Sequence, residues 1–409
     1  MKYRYKLLVD RYLGSVVCFL IAPLVKGLDY RLNRNRSNKN SPIRHIAVLK
    51  ILGMGSILQS QTMVQTFRRY HPGVRITLIT SMSNRPMTER LPEMFDDYLF
   101  LRDQSGWTLA IDTFRTIWWS WKTPLDLYLD LELYSSFASF LCGISLTPRR
   151  FGFYRNVIAF RSWIHTNLIY FNNQKHISES YIQFALADQL KVSPEWNNPI
   201  QLKSDDLEET ESWLRTHQIK EPFIVVNVNS SELMLERRWS AVSFANLIKL
   251  ILDHFKMTIV LMGSPTERTY VEDVRQQIPV SLHQHVLNSS GEVSLGGCLG
   301  LIQKCSLMIT NDSGPFHFAV CLGTKLIGLF GPCDPQQYGT PFSSEDIRIH
   351  YAGVYCSPCI HNTFDPPCGG DNICMKRISV ESVWEDVEKI LDSVLVQNKT
   401  ETGNTSSGN

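Results

Sequence analysis

Charge is scarce in this chain. Only 20% of its 409 residues are Asp, Glu, Lys or Arg, and the formal net charge is +2. So balanced a chain has no basic excess of the kind that grips nucleic acid, and no nucleic-acid partner is expected. An apolar run of membrane-spanning length is missing too. Residues 13–25, bounded by Arg11 and Lys26, fall short of the about 20 apolar residues that a bilayer crossing needs. No small-x-small cleavage site follows that run, and Asp10-Arg11 interrupts the apolar stretch beginning at Leu7, which argues against a signal peptide. Among ten cysteines there is a single C-x-x-C, Cys356 and Cys359. Cys368 and Cys374 are spaced too widely to make a second.

What charge there is lies unevenly. Residues 1–50 hold eleven Lys or Arg against Asp10 and Asp29, so this segment carries +9 and the remainder about −7. The short apolar run set among cations reads as an interfacial anchor, with apolar side chains in the headgroup region and Lys and Arg on anionic phosphates. The alternative is a buried helix packed on the first domain. With 44% hydrophobic residues the chain is long enough for two domains with real cores. The order expected is a basic and apolar segment (1–42) ending in a polar link (33–42), a first domain (43–203), a second (204–378), a final helix (379–397) and a disordered tail (398–409).

Strands and helices alternate through both domains, which indicates α/β architecture with parallel sheets. A buried strand at 46–52 runs into Gly53-Met54-Gly55 and a helix over 56–70; glycines there let backbone approach a ligand at a strand end. Residues 105–124 hold Trp107, Trp118, Trp119 and Trp121, either facing lipid or sugar or filling the core. Asp130 and Glu132 sit two apart near a strand end, on one face of it. Taken alone they read as a solvated strand-end pair. In the second domain a strand ends in Asn227 and Asn229, Arg237-Arg238 precedes Trp239, and Glu267 follows the strand 258–262 and Gly263.

Residues 306–339 hold the densest chemistry. SLMIT reads as a strand, NDSGP as a turn, FHFAVCL as a helix closed by Gly323, and KLIGLF as a second strand. Asn311, Asp312, Ser313 and Gly314 then fall at a strand's carboxyl end, where ligands of such units bind. Pro315 suits the first helical turn because it lacks an N–H that would be unpaired there. Either this tetrapeptide is only a capping turn or the helix mouth holds an anion, with Asp312 and His317 beside it contacting hydroxyls.

The run Asn311-Asp312-Ser313-Gly314-Pro315-Phe316-His317, followed by Ala319, Gly323, Thr324, Phe330-Gly331-Pro332 and Asp334-Pro335, resembles the nucleotide-sugar site of glycosyltransferase family 9, the heptosyltransferases of lipopolysaccharide assembly and their relatives. The resemblance implies a GT-B fold, two doubly wound Rossmann-like domains facing a central cleft. It implies an inverting transfer of a sugar, heptose from ADP-heptose foremost, to a lipopolysaccharide core or similar acceptor at the cytoplasmic face of the cell membrane, with no cofactor required for catalysis. The donor residues it implies are Asn227, Asn229, Arg237, Arg238, Glu267, Asn311, Asp312, Ser313, Gly314, Pro315, Phe316 and His317. Arg237 or Arg238 would neutralise the leaving diphosphate, and Glu267 would contact the ribose or merely cap a helix. On the acceptor side Lys50 and Gly55 match, but Ser56 stands where the family carries an aspartate base. Serine cannot act as a carboxylate base, so Glu132 is expected as base with Asp130 second. Thr147-Pro148-Arg149-Arg150-Phe151-Gly152 resembles the family's basic segment, and Arg149, Arg150 and Arg155 would meet an acidic acceptor.

Cys18, Cys142, Cys298, Cys305 and Cys321 fall in apolar runs and should stay reduced. Cys356, Cys359, Cys368 and Cys374 suggest a structural zinc site, with His361 as a spare ligand, or two disulfides, or free thiols. Two other functions stay open: a nucleotide-sugar hydrolase or epimerase on the same fold, and a non-catalytic membrane-associated binder.

Overall fold

The computed structural model describes residues 8–32, 42–154, 160–193, 196–230, 235–360, 363 and 366–405. Arg155, His361, residues 33–41 of the polar link and residues 406–409 of the tail lie outside them. The chain divides into two compact units, residues 1–201 and 202–409.

The first unit is a six-stranded parallel sheet of β1 (His45–Leu49), β2 (Arg75–Ser81), β3 (Asp97–Leu101), β4 (Leu127–Asp130), β5 (Arg149–Tyr154) and β6 (Asn167–Tyr170), in the order β3-β2-β1-β4-β5-β6. The second repeats that plan with β7 (Phe223–Asn227), β8 (Thr258–Met262), β9 (Val286–Asn288), β10 (Leu307–Asn311), β11 (Leu326–Phe330) and β12 (Ile347–Tyr351), ordered β12-β11-β10-β7-β8-β9. All strands run parallel, and in each sheet the order in which strands are added reverses once, between β1 and β4 and between β7 and β10. Those are the switch points at which ligands bind in doubly wound sheets. The central strands are covered on both faces, so β1, β7, β10 and β11 are apolar almost throughout instead of alternating. Edge strands β6 and β12 stay partly open.

Right-handed crossovers put the helices linking β1, β2 and β3 on one face of the first sheet. Those following β3, β4 and β5, at Gly106–Lys122, Ser136–Ile144 and Arg161–Ile164, take the other. The N-terminal helix Ser15–Leu32 packs over the last two, burying Cys18 and Ala22 against Phe160 and Ile164. Asp10, in the π-helical turn that precedes it, accepts from the amides of Phe137 (2.7 Å) and Ser136 (3.2 Å) and so caps Ser136–Ile144. At its far end Asp29 pairs with Arg150. The helical segment spans Asp10–Arg31, 22 residues, and is long and apolar enough by length and composition to cross a membrane. The apolar run alone understated it, because the helix continues through Lys26 and Asp29. Its packed flank shows that it lies along the unit's surface.

Three further differences have local causes. The helix expected over 56–70 is two, Met54–Gln59 and Gln61–Tyr70, broken at Ser60, whose hydroxyl donates to the Ile57 carbonyl. Of the clustered tryptophans, Trp107, Trp118 and Trp121 are exposed, while Trp119 packs edge-on against His45. The C-terminal helix runs Val380–Thr405, beyond the end expected at 397, because propagation costs little once a helix is nucleated and no proline stops it. Val383, Val387 and Leu391 on its inner face enter the core of the second unit.

Candidate functional site

At the first switch point Lys50 leaves β1 and Glu132 follows β4. Glu132 Oε1 accepts from the amides of Ile51 (2.7 Å) and Leu52 (3.1 Å), and Oε2 lies 3.1 Å from Lys50 Nζ. The side chain is 11% exposed. Burial, the largest single influence, would depress the Lys50 ammonium, but Glu132, Tyr181 and Asp130 together outweigh it and the net direction is upward. The Ser56 hydroxyl hydrogen-bonds the Tyr181 phenol, whose pKa burial raises. Tyr181, on the helix Ile177–Ala187, carries no sequence signal that would have singled it out.

Asp130 is sealed at 0% exposure. It accepts from the Glu132 amide (3.0 Å) and Ser139 Oγ (3.2 Å), and its Oδ2 lies 3.1 Å from His165 Nε2. Directly across the ladder is Gly152; a Cβ there would fall 2.2 Å from His165 Nε2, so only glycine lets that ring reach Asp130. Burial holds the His165 pKa below its ordinary value, against the pull of Asp130. Asp130 is thus buried beneath Glu132, with both carboxylate oxygens engaged by groups of the chain.

Two of the three arginines expected at the acceptor, Arg149 and Arg150, are engaged by groups of the chain itself. Arg150 is fully buried: Nη1 contacts Asp29 Oδ1 (3.0 Å) and the Thr147 carbonyl (2.6 Å), and Nε donates to the Ile164 carbonyl (2.8 Å). Arg149 pairs with Asp188 and lies over Phe151. Both sit where β5 begins, at the sheet edge opposite the carboxyl ends.

The second switch point is a polar network. Asn227 Nδ2 donates to Thr310 Oγ1 (2.9 Å) and Ser313 Oγ (3.0 Å). Asn311 Nδ2 donates to the carbonyls of Val228 and Asn229 (3.1 Å each), and its Oδ1 accepts from the Trp239 amide (2.9 Å). That last bond places Arg237 and Arg238. Arg237 Nη1 lies 3.6 Å from Asp312 Oδ2, and the Arg238 guanidinium sits 3.9 Å over the Tyr270 ring. Asn229 Nδ2 reaches the Met262 carbonyl at 3.0 Å, and the absence of a side chain at Gly263 makes the room.

Several buried atoms here have no hydrogen-bond partner among the described residues: Asn229 Oδ1, Ser290 Oγ, Arg237 Nε, Arg238 Nε and Asp312 Oδ2. Buried polar atoms are ordinarily paired, so such a gathering marks a place for a polar ligand. Beside them the helix Gly314–Leu322 begins. Ser313 adopts extended backbone at its N-cap, yet its hydroxyl accepts from Asn227 and donates to the Asn311 carbonyl, leaving the helix without a side-chain cap. Such an N-terminus carries partial positive charge; Pro315 offers no N–H and the Phe316 amide donates to the Ser313 carbonyl (3.1 Å), which leaves the Gly314 amide for a ligand. Phe316 is buried against Phe330, with half-buried His317 edge-on to it.

Glu267 sits apart from this cluster of contacts. Its Oε2 accepts from Ser264 N (2.8 Å) and Ser264 Oγ (2.7 Å), which is the capping arrangement.

Cys333 was not singled out from the sequence, although it lies inside the motif between Pro332 and Asp334. It is buried and hydrogen-bonded to Asp312, and burial pushes its thiol well up. The zinc expectation is not supported: among the described residues no group of three or more His, Cys, Asp or Glu is placed to hold a metal, and all ten cysteines are free. The four C-terminal cysteines belong instead to a segment that buttresses the turn after β11. The amides of Cys359 (3.1 Å) and Ile360 (3.0 Å) donate to the Pro332 carbonyl, and Asn372 Nδ2 donates to the Arg238 carbonyl (3.1 Å).

Comparison with known proteins gives this geometry its context. Lipooligosaccharide heptosyltransferase 2 of Haemophilus influenzae is 32% identical over 28% of this chain, a match spanning only 32% of that protein. Lipopolysaccharide core heptosyltransferase OpsX of the same organism is 20% identical over 85% of this chain and 97% of its own length. Among solved structures, the ADP-heptose lipopolysaccharide heptosyltransferase II of E. coli superposes with a TM-score of 0.65 at 19% identity, covering 85% of this chain and 99% of that one. The two-sheet α/β architecture is thus that of the GT-B heptosyltransferases. The family model of glycosyltransferase family 9 (heptosyltransferase) matches residues 138–366, which is more than half of the 409 residues, and the chain belongs to that family.

Proposed function

We propose that this glycosyltransferase moves heptose from ADP-heptose to a lipopolysaccharide core acceptor, working in the cytoplasm as a peripheral protein at the inner face of the membrane. The observation that carries the reading is the set of buried polar atoms without a hydrogen bond beside a helix mouth that lacks a side-chain cap, at the second switch point. A nucleoside diphosphate sugar would satisfy them. The Gly314 amide at the positive end of the helix and Arg237 or Arg238 suit the diphosphate, and Asp312 Oδ2 suits sugar hydroxyls.

In the first unit Glu132 is assigned as general base. It takes the proton of the acceptor hydroxyl as that oxygen attacks the anomeric carbon, while the anomeric carbon–oxygen bond to the diphosphate breaks. The bonding pair leaves with the diphosphate, and the cationic groups of the second unit meet the charge that develops. Inversion follows from one displacement.

Thermal unfolding with ADP, UDP, GDP and dTDP sugars tests the donor assignment. Ligands that bind only the folded state stabilise it, by about 2.7 kcal/mol at a hundred times Kd. ADP-heptose should raise Tm most, and Arg237→Ala should remove most of that rise. No shift with any of the four would overturn the donor site.

A further inference from the structure

We infer that the helix Gly106–Lys122 and the N-terminal helix together form a docking face for an anionic phospholipid bilayer. The first of these helices exposes Trp107, Ile111, Phe114, Trp118 and Trp121. Spacings of four, three, four and three put all five on one side. Trp107 is 76% exposed and Phe114 64%, whereas Asp112, Thr116 and Ser120 are buried. The helix is apolar on its outward side too, since Leu109, Ile117 and Trp119 already pack inward on the core of the first unit beside those buried polar groups.

Arg102 holds the helix in that rotation through Asp112, and the hydroxyls of Thr116 and Ser120 are satisfied within the helix. Asp112 accepts from the Arg102 amide (2.9 Å) and guanidinium (2.8 Å), Thr116 Oγ donates to the Asp112 carbonyl (2.8 Å) and Ser120 Oγ to the Ile117 carbonyl (2.7 Å). Turning the tryptophans inward would break the Arg102–Asp112 pair, so the stripe is a fixed surface. Single exposed hydrophobics need no explanation, but a contiguous row of five does.

A lipid surface fits this row because indole and cation occur together. The Lys122 ammonium lies 5.0 Å over Trp118, and on the N-terminal helix Lys26 lies 5.6 Å over the half-exposed Trp163. Tryptophan and snorkelling lysine are the residues of the headgroup level. The second argument is continuity. The N-terminal helix lies on the same face of the first sheet and exposes Phe19, Leu20 and Leu24, with Leu13 exposed in the turn before it, in the segment that holds the chain's basic excess. Both helical segments also start at the carboxyl edge of the sheet: Trp107 follows β3, and Asp10 caps the helix after β4. A bilayer on this face therefore lies beside the edge that holds Glu132. There a lipid-linked acceptor would present its sugars, a consequence that rests on the proposed acceptor, whereas the docking itself does not.

The test uses the full chain, no nucleotide sugar, and vesicles of phosphatidylethanolamine and phosphatidylglycerol with brominated acyl chains, which quench indoles that enter the lipid. Trp107→Phe/Trp118→Phe/Trp121→Phe keeps the stripe apolar. It should bind as the wild type does and lose more than half of the quenching. Trp107→Ser/Phe114→Ser/Trp118→Ser should fold and partition about tenfold or more weakly, since binding scales with buried apolar area. Equal quenching in the wild type and the Phe variant would overturn the proposal. So would unchanged partitioning of the Ser variant, or its conversion from dimer to monomer at unchanged vesicle affinity, which would make the stripe a contact between copies of the chain. No sugar transfer is read, so a failed transferase assignment would leave the outcome intact.

Discussion

Glu132 is held by two backbone amides and a lysine while a small part of its side chain stays open, and the whole first switch point converges on it. If it is the base, Glu132→Gln should lower kcat by roughly 10²–10⁴ and leave stabilisation by the ADP-heptose donor unchanged. Steady-state kinetics beside a thermal shift separate those two effects. The polar cluster at the second switch point was legible because its residues lie in one contiguous motif and beside two short strand ends. Arg150 was not: an arginine beginning a strand shows in sequence neither which face it takes nor that its partner, Asp29, lies 121 positions earlier. Tyr181 was hidden for the same reason, since only the fold carries its helix to Ser56. Cys333 was overlooked inside the motif, where a thiol beside Asp312 could have been noticed.

Among elements, the N-terminal helix is the most informative. It is fastened by Asp10 at one end and Asp29 at the other, with a narrow buried stripe between. Removing one partner of a buried ion pair strands the other charge. Asp29→Ala should therefore destabilise the first unit by about 3–5 kcal/mol, read as a lower urea midpoint. The parallel strands could be read from sequence because burial on both faces leaves plain apolar runs. The tryptophan helix could not be assigned from its aromatic density, because exposure there is decided by the Arg102–Asp112 pair. The break at Ser60 depends on one side-chain hydrogen bond, which periodicity does not register.

Across the whole molecule, two sheets of identical strand order put polar groups at two equivalent switch points. Four histidines, His45, His71, His165 and His350, have pKa values held below the ordinary value, each mainly by burial. Their unfolded forms take up protons near pH 6.5 and below while the folded forms resist, so the unfolded state binds more protons as pH falls. Stability should be level above about pH 6.5 and decline below it. His165→Asn should make that decline shallower, as chemical denaturation across the pH range would show.

The most direct measurement of the central claim is acceptor-dependent transfer. Purified protein would be mixed with ADP-heptose and a heptose-deficient lipopolysaccharide acceptor, with ADP release and acceptor mass followed together. The account predicts ADP formed in step with acceptor gaining one heptose, and little of either without acceptor or with Glu132→Gln. ADP released equally without acceptor, or an acceptor that never gains mass while donor is bound, would contradict it.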